Sequence, residues 1–382
     1  MNGVDWPGVR EELRPRAAAA PSTGELRGVI REMLGRLGQS HFALIPSTPD
    51  TPRSNADLGG DPGFDVRLID NEIVVFSVDP IGSAAVAGVR PGWRLLAVDG
   101  QTVDALLSAL PDAMADRLRH LEAWRLLESR IRGPQGSTVT LEFEDAGGER
   151  RRLEVHRRAE KGQPATVGHL PTMYVRVESE ARRTPGGRSI GVVRFNVWMP
   201  AVDPLFQAAV DRFRDARGFV IDLRGNPGGL AAMIMGISGH FLQERKPLGV
   251  MKTRQSVLNF ASNPRLVSAA GERVEPYAGR VAILMDGLSG SASECFAGGM
   301  QSLGRARVFG QRSMGQALPA LFDRLPNGDV LIHAYGDFVT ATGERLEGRG
   351  VVPDEEVPLR REDLLAGRDA TLERALAWMD EP

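Results

Sequence analysis

Between Asp286 and Gly315 the chain reads D-G-L-S-G-S-A-S-E-C-F-A-G-G-M and then Q-S-L-G-R-A-R-V-F-G-Q-R-S-M-G. Three small hydroxyl residues, Ser289, Ser291 and Ser293, stand among glycines and an alanine, directly after the apolar run Val281 to Met285. A strand, a tight turn and a helix start would lift one serine hydroxyl onto the unsatisfied amides of a helix N-terminus, where an acyl-transfer nucleophile has to stand. Serines at such places also serve as caps and turn formers, and the local pattern leaves both readings open. A second stretch, Asp222-Leu223-Arg224-Gly225-Asn226-Pro227-Gly228-Gly229, follows a buried strand candidate that starts at Gly218. Sheets of this kind carry their sites at the C-terminal ends of strands. No G-K-[ST] follows and the glycine spacing matches no dinucleotide fingerprint, so this is not a phosphate loop. The amides of Gly228 and Gly229 could face a developing oxyanion, or the glycines could serve a plain turn. Arg224 could orient the loop or meet a peptide carboxylate, and Asp222 could cap or pair with it.

The elements that must position these residues are those of an α/β chain. Strand candidates begin at Ser189, Gly218, Val281, Ala306 and Asp329, and helices are expected over Val202 to Arg214, Ala231 to Phe241, Glu294 to Leu303 and Ala370 to Met379. Strands alternating with helices favour a mixed sheet with helical cover. Upstream, Val9, Leu13, Leu26, Val29, Ile30, Met33, Leu34 and Leu37 recur at helical spacing, with Ser22 and Thr23 marking a second helix start. Ser40 and His41, in G-Q-S-H-F, then fall where the helix has ended and a short strand begins. Pro46 to Gly63 has loop composition. The totals exclude several functions. With 382 residues the chain holds two or three domains. A formal net charge of -2 offers no electrostatic case for nucleic acid or an anionic membrane. One cysteine, Cys295, forbids an internal disulfide and a cysteine-based metal cluster. It lies at helical spacing from Ser291 and reads as a packing residue. No two histidines share ligand spacing and no H-E-x-x-H occurs, so neither a metal nor another cofactor is expected.

From Phe64 to about Arg158 short strands replace helices, around the string G-S-A-A-V-A-G-V-R-P-G-W-R-L-L-A-V-D-G. This arrangement resembles a PDZ domain, enlarged by a helical insertion over Asp112 to Arg132. The resemblance implies capture of peptide ends by strand addition beside a helix. The stretch corresponding to a Gly-Leu-Gly-Phe carboxylate loop reads D-N-E-I-V-V, which leaves a lid or scaffold role open as well.

Taken together, D-L-R-G-N-P-G-G, S-G-S-A-S-E, G-x-x-S-x-G and L-E-G-R-G-V-V-P-D resemble the S41 serine peptidases, the tail-specific or C-terminal processing peptidases. The resemblance implies a crotonase-like protease core over 159–382, a PDZ-like domain over 59–158 and an N-terminal helical region over 1–58. It also implies that Ser291 is the nucleophile, with oxyanion donors at Ala292 and Gly228 and with Gly229 beside them. One branch of the family activates its serine with a lysine about 25 residues later. Here that position is Gln316, which cannot take a proton near neutral pH. No lysine follows Lys252, so no local substitute exists. The chain is closer to the tricorn-core branch, in which a Ser-His pair from the N-terminal region and a late glutamate complete a tetrad. That implies His41 as general base, oriented by Ser40, with Glu347 behind them. His333 is the rival base, because its strand belongs to the same domain; His120, His156, His169 and His240 lie in the inserted helix, a hairpin, a connecting loop and a helix end.

The function expected is a serine endopeptidase or C-terminal processing peptidase working through an acyl-enzyme on protein or peptide substrates. The competing reading is a catalytically silent peptide-binding scaffold on the same fold. A small-ester α/β-hydrolase fails on motif form, because Ser291 stands in no G-x-S-x-G elbow and His41 precedes it. Apolar residues on the N-terminal helices could cover the core or form a homo-oligomer. The family is usually exported, which implies an extracytoplasmic home. The start of this chain, M-N-G-V-D-W-P-G-V-R-E-E-L, lacks the apolar core of a signal segment.

Overall fold

The structure, a computed structural model, describes residues 3–47, 59–110, 116–168 and 172–381. Most of the loop expected over Pro46 to Gly63 and the start of the helix expected from Asp112 lie outside the described residues, as does His169.

The centre is a six-stranded sheet in the order Val177–Arg183, Ser189–Phe195, Gly218–Asp222, Arg280–Met285, Arg307–Gly310 and Glu355–Glu356. The first pair is antiparallel and the others are parallel. Its inner strands are covered on both faces, which is why they read as nearly unbroken apolar runs. Side chains alternate between the faces. Phe219 and Ile221 point to the side covered by helices Val202–Arg212, Met233–Ser238 and Ala292–Ser302. Val220 points to the other side, where helix Ala370–Asp380 brings Ala375, Leu376 and Met379. Helix Met233–Ser238 stops short of the expected span. A side chain at Gly239 would meet the Asn263 carbonyl at 1.7 Å, so the chain turns away there.

Two small antiparallel sheets were not legible as such. Strands Val257–Ala261, Pro247–Thr253 and Gly336–Thr340 form one, laid against helix Ala292–Ser302. Gly299 permits that approach, since a Cβ there would lie 2.9 Å from the Leu248 carbonyl oxygen. In the other, Ala43–Ile45 pairs with Val330–Ala334, which pairs with Ala320–Arg324. The N-terminal helices, Trp6–Ala18 and Thr23–Gly35, are tied to this sheet by Arg27. Its guanidinium grips Asp329 with bonds of 2.9 and 2.7 Å, and both residues are buried.

The inserted β domain is an antiparallel sheet of Phe64–Ile69, Glu72–Val78, Arg94–Val98, Thr138–Glu144 and Arg150–His156, with helix Asp116–Ile131 against the edge strand Phe64–Ile69. Phe64, Val66, Leu95, Leu127, Leu141 and Phe143 are among its core. The chain enters and leaves it through paired strands Gly60–Asp61 and Arg158–Ala159. A strap returning from the core holds its outer face: Leu364 packs on Ile69, Val74 and Phe76, and Arg361 donates to the Gly92 carbonyl and to Glu144.

Candidate active site

Strand Arg280–Met285 runs into a tight loop, and helix Ala292–Ser302 starts right behind it. Ser291 occupies the helix N-cap position with φ 53° and ψ -117°, a backbone state that costs a non-glycine residue of order 1–3 kcal/mol. The three serines of the loop separate by environment. Ser289 Oγ is buried and donates to the Leu223 carbonyl at 2.8 Å. Ser293 Oγ is buried, donates to the Asn226 carbonyl and accepts from the Trp198 indole. Ser291 is half-buried, its side chain faces the Glu294 amide in a capping box, and its hydroxyl donates to no acceptor among the described residues. Its amide donates to the Gln316 carbonyl and to a Glu294 oxygen.

The glycine-rich loop presses directly on this serine. A Cβ placed on Gly228 would lie 2.6 Å from Ser291 Cβ and 3.0 Å from the Ala292 nitrogen. The Gly228 amide, expected to face an oxyanion, instead donates to Asn226 Oδ1 at 3.0 Å. Asn side chains reach their own backbone two residues on in this way. The Ala292 and Gly229 amides have no acceptor among the described residues. Gly229 is held by a parallel bridge to Trp198. Asp222 and Arg224 lie beneath the loop as a buried fork. Arg224 donates to Asp222 at 2.7 and 2.9 Å and to Asp369 at 2.7 and 2.8 Å, so its guanidinium is taken up in orienting the loop. Burial works against the Asp222 carboxylate, but the Arg224 charge, the hydrogen bonds from Arg224 and the Arg194 charge together outweigh it and hold the group at about 2.

A second cluster forms across the chain. Ser40 Oγ donates to Glu347 Oε2 at 2.8 Å, and the Ser40 amide donates to Oε1 at 2.9 Å. Ser40 Oγ also lies 2.8 Å from His41 Nδ1. A hydroxyl has one proton to give, and a carboxylate can only accept. With that proton on Glu347, Ser40 accepts from Nδ1–H. The lone pair of His41 is therefore on Nε2, which has no protein partner among the described residues. Burial depresses the His41 pKa below its ordinary value, Glu347 opposes this and Arg125 adds to it. The two clusters meet at consecutive residues: the Gln316 carbonyl holds the Ser291 amide, and the Ala317 amide donates to Glu347 Oε2 at 2.9 Å. His333 is instead paired with Asp323 on the neighbouring strand at 2.8 Å.

Several residues at this site escaped the sequence reading. Glu294, fully buried, accepts from Ser313 Oγ, Gly315, Ser291 and Gln316, so one carboxylate ties the nucleophile loop to the S-M-G-Q turn. Burial pushes its pKa up to about 7 against those donors. The Cys295 thiol beside it is buried, and its pKa is raised by burial and by Glu294. Helix Asp116–Ile131 covers the loop: Leu121 packs on Leu288 and Met314, and the His120 ring lies beside Gly287. Arg67 and Asp286 form a buried ion pair between the β domain and the core, at 2.9 Å. Only the S-x-x-E spacing hinted at Glu294 as a capping partner.

Residues 189–357 match the family "Peptidase family S41", and residues 1–35 match the "Tricorn protease C1 domain". A carboxyl-terminal-processing protease of Synechocystis is 25% identical over 352 residues, covering 91% of this chain and 73% of that protein. A probable CtpA-like serine protease of Staphylococcus haemolyticus is 22% identical over 341 residues; the match covers 88% of this chain but spans only 60% of that relative. The solved photosystem II D1 C-terminal processing protease shares the fold, with a TM-score of 0.58 at 21% identity over 97% of this chain and 93% of that one.

Proposed function

We propose that this chain, whose residues 189–357 match peptidase family S41, is a serine peptidase that cuts protein or peptide chains, internally or near their carboxyl ends, through an acyl-enzyme at Ser291. His41 Nε2 takes the Ser291 proton as Oγ attacks the scissile carbonyl carbon. The carbonyl oxygen gains negative charge and is met by the amides of Ala292 and Gly229, neither of which has an acceptor among the described residues. The imidazolium then gives its proton to the departing amine, and a water repeats the cycle to release the acid. Ser40 and Glu347 hold the ring in the tautomer that leaves Nε2 basic and stabilise its charge once protonated. Gln316 keeps the backbone contact to Ser291 and contributes no base.

The observation that carries this reading is the proton accounting at Ser40, which leaves a lone pair on the imidazole with a buried carboxylate behind it. The finer architecture follows the same reading: a crotonase-like core, an N-terminal region supplying Ser40 and His41, and a PDZ-like insert. The edge strand Phe64–Ile69 beside helix Asp116–Ile131 is the place where a peptide could be added as a strand. The test is hydrolysis of an unfolded protein by the purified chain and by Ser291→Ala. Cleavage by the first, lost at least about 1000-fold in the second, is expected. An inert wild-type chain that still binds peptide would make it a scaffold instead.

A further inference from the structure

Asp286 is the knot between the two loops of the site. Its Oδ1 accepts from the Gly225 amide at 2.9 Å, in the glycine-rich loop, and from the Leu288 amide at 3.0 Å, in the nucleophile loop. Ser289 Oγ, which donates to Leu223, lies 3.3 Å from the same oxygen. This carboxylate, 4% exposed, therefore helps set the relative position of the Gly229 and Ala292 amides, beside the direct bonds that the Gly290 amide and Ser293 Oγ make to the Asn226 carbonyl. Its cation does not come from the core. Oδ2 accepts from Arg67 Nε at 2.9 Å, on the edge strand of the inserted β domain. Arg67 is 5% exposed and also donates from Nη1 to Asp65 and to the Val66 carbonyl. Asp65 is fixed in turn by the Trp124 indole, from the helix that covers the nucleophile loop. Arg67 Nη2 fills the space above Gly225, 2.6 Å from where a Cβ would stand.

We infer that Arg67 is a positioning residue for hydrolysis: the inserted domain supplies, through Asp286, the charge that holds the oxyanion donors at their working separation. The inference rests on the peptidase reading above. A carboxylate buried this deeply needs a cation or a proton. Without Arg67, the buried Asp286 carboxylate loses its cation and its ties to Gly225 and Leu288 loosen. Arg67 touches no reacting atom, so substrate affinity is spared while the step that builds charge on the oxyanion slows. Other contacts between the β domain and the core, such as Arg361 with Glu144 and Gly92, dock the domain without reaching either loop.

The test compares kcat and KM for a fluorogenic peptide, and the rate at which a serine-reactive phosphonate labels Ser291, in the wild type, Arg67→Met, Arg67→Lys and Arg361→Met. Arg67→Met is expected to lose about 10- to 100-fold in kcat and in labelling rate with KM within about threefold. Arg67→Lys, which keeps the charge but not the fork, falls between, and Arg361→Met stays within about twofold. Should Arg67→Met not fold, Arg67→Gln takes its place with the same expectation. A folded Arg67→Met or Arg67→Gln with wild-type kcat overturns the inference, as does an equal loss in Arg361→Met. A wild-type chain that neither cleaves nor labels overturns the peptidase reading itself.

Discussion

Ser289, Ser291 and Ser293 lie within five positions of one another, yet only the Ser291 hydroxyl donates to no acceptor among the described residues. The outer two donate to carbonyls of the glycine-rich loop and are buried, while Ser291 is lifted out by a positive φ. Sequence marked the segment, and the family pattern marked Ser291; neither could show the contact with Gly228. That contact makes Gly228→Ala a sharp test. Its φ of 107° is unfavourable for a side chain, and the new methyl would meet Ser291 Cβ at 2.6 Å. The variant should fold, by circular dichroism, and lose at least about 100-fold in kcat/KM. A second prediction concerns His41. The base must be neutral, and burial lowers its pKa from the ordinary 6.5. Protonation therefore sets in only at lower pH, and the acid limb of kcat/KM should have its midpoint below 6.5. Arg125, which depresses the histidine further, gives the sign of the next step: Arg125→Met should move that limb upward.

At the scale of elements, His41 is only as well placed as the N-terminal helices that lead to it. Helix Thr23–Gly35 was legible from its apolar spacing and from the Ser22 cap, whose hydroxyl accepts from the Glu25 amide. Its anchor was not, since Arg27 and Asp329 are 302 positions apart. Nothing in a local pattern distinguishes such an arginine from the solvated ones around it. Burial class does: the pair is 3% and 0% exposed. Arg27→Met leaves Asp329 buried without its cation and should cost about 3–5 kcal/mol in urea unfolding. The three-stranded sheet of Val257–Ala261, Pro247–Thr253 and Gly336–Thr340 was missed for a related reason. The burial pattern of Val257–Ala261 is exposed over its first three residues, so no alternation announced a strand. The parallel strands behind the site, buried on both faces, were plain from their apolar runs.

In the whole molecule, the proposed site draws on four distant stretches: residues 40–41, 225–229, 286–294 and 347. The family pattern named these positions as ones expected to meet, and the structure joins Ser40 to His41 and Glu347 and sets the glycine-rich loop against Ser291. What it left open was how they meet: Ala317 bridging Glu347 to the segment that holds Ser291, the Gly228 amide taken by Asn226, and the inserted domain reaching Asp286 through Arg67. Each of these is a contact between residues tens to hundreds of positions apart or a detail of one turn, beyond the reach of periodicity. The central claim is that Ser291 is activated by His41 held by Ser40 and Glu347. The most direct measurement is the rate at which a serine-reactive phosphonate labels the folded protein at pH 7, with the modified residue identified by mass spectrometry. The account predicts a single adduct at Ser291 in the wild type, its rate reduced at least about 100-fold in His41→Ala and by a smaller factor in Glu347→Gln. Labelling of Ser291 that persists at the wild-type rate in His41→Ala would contradict it.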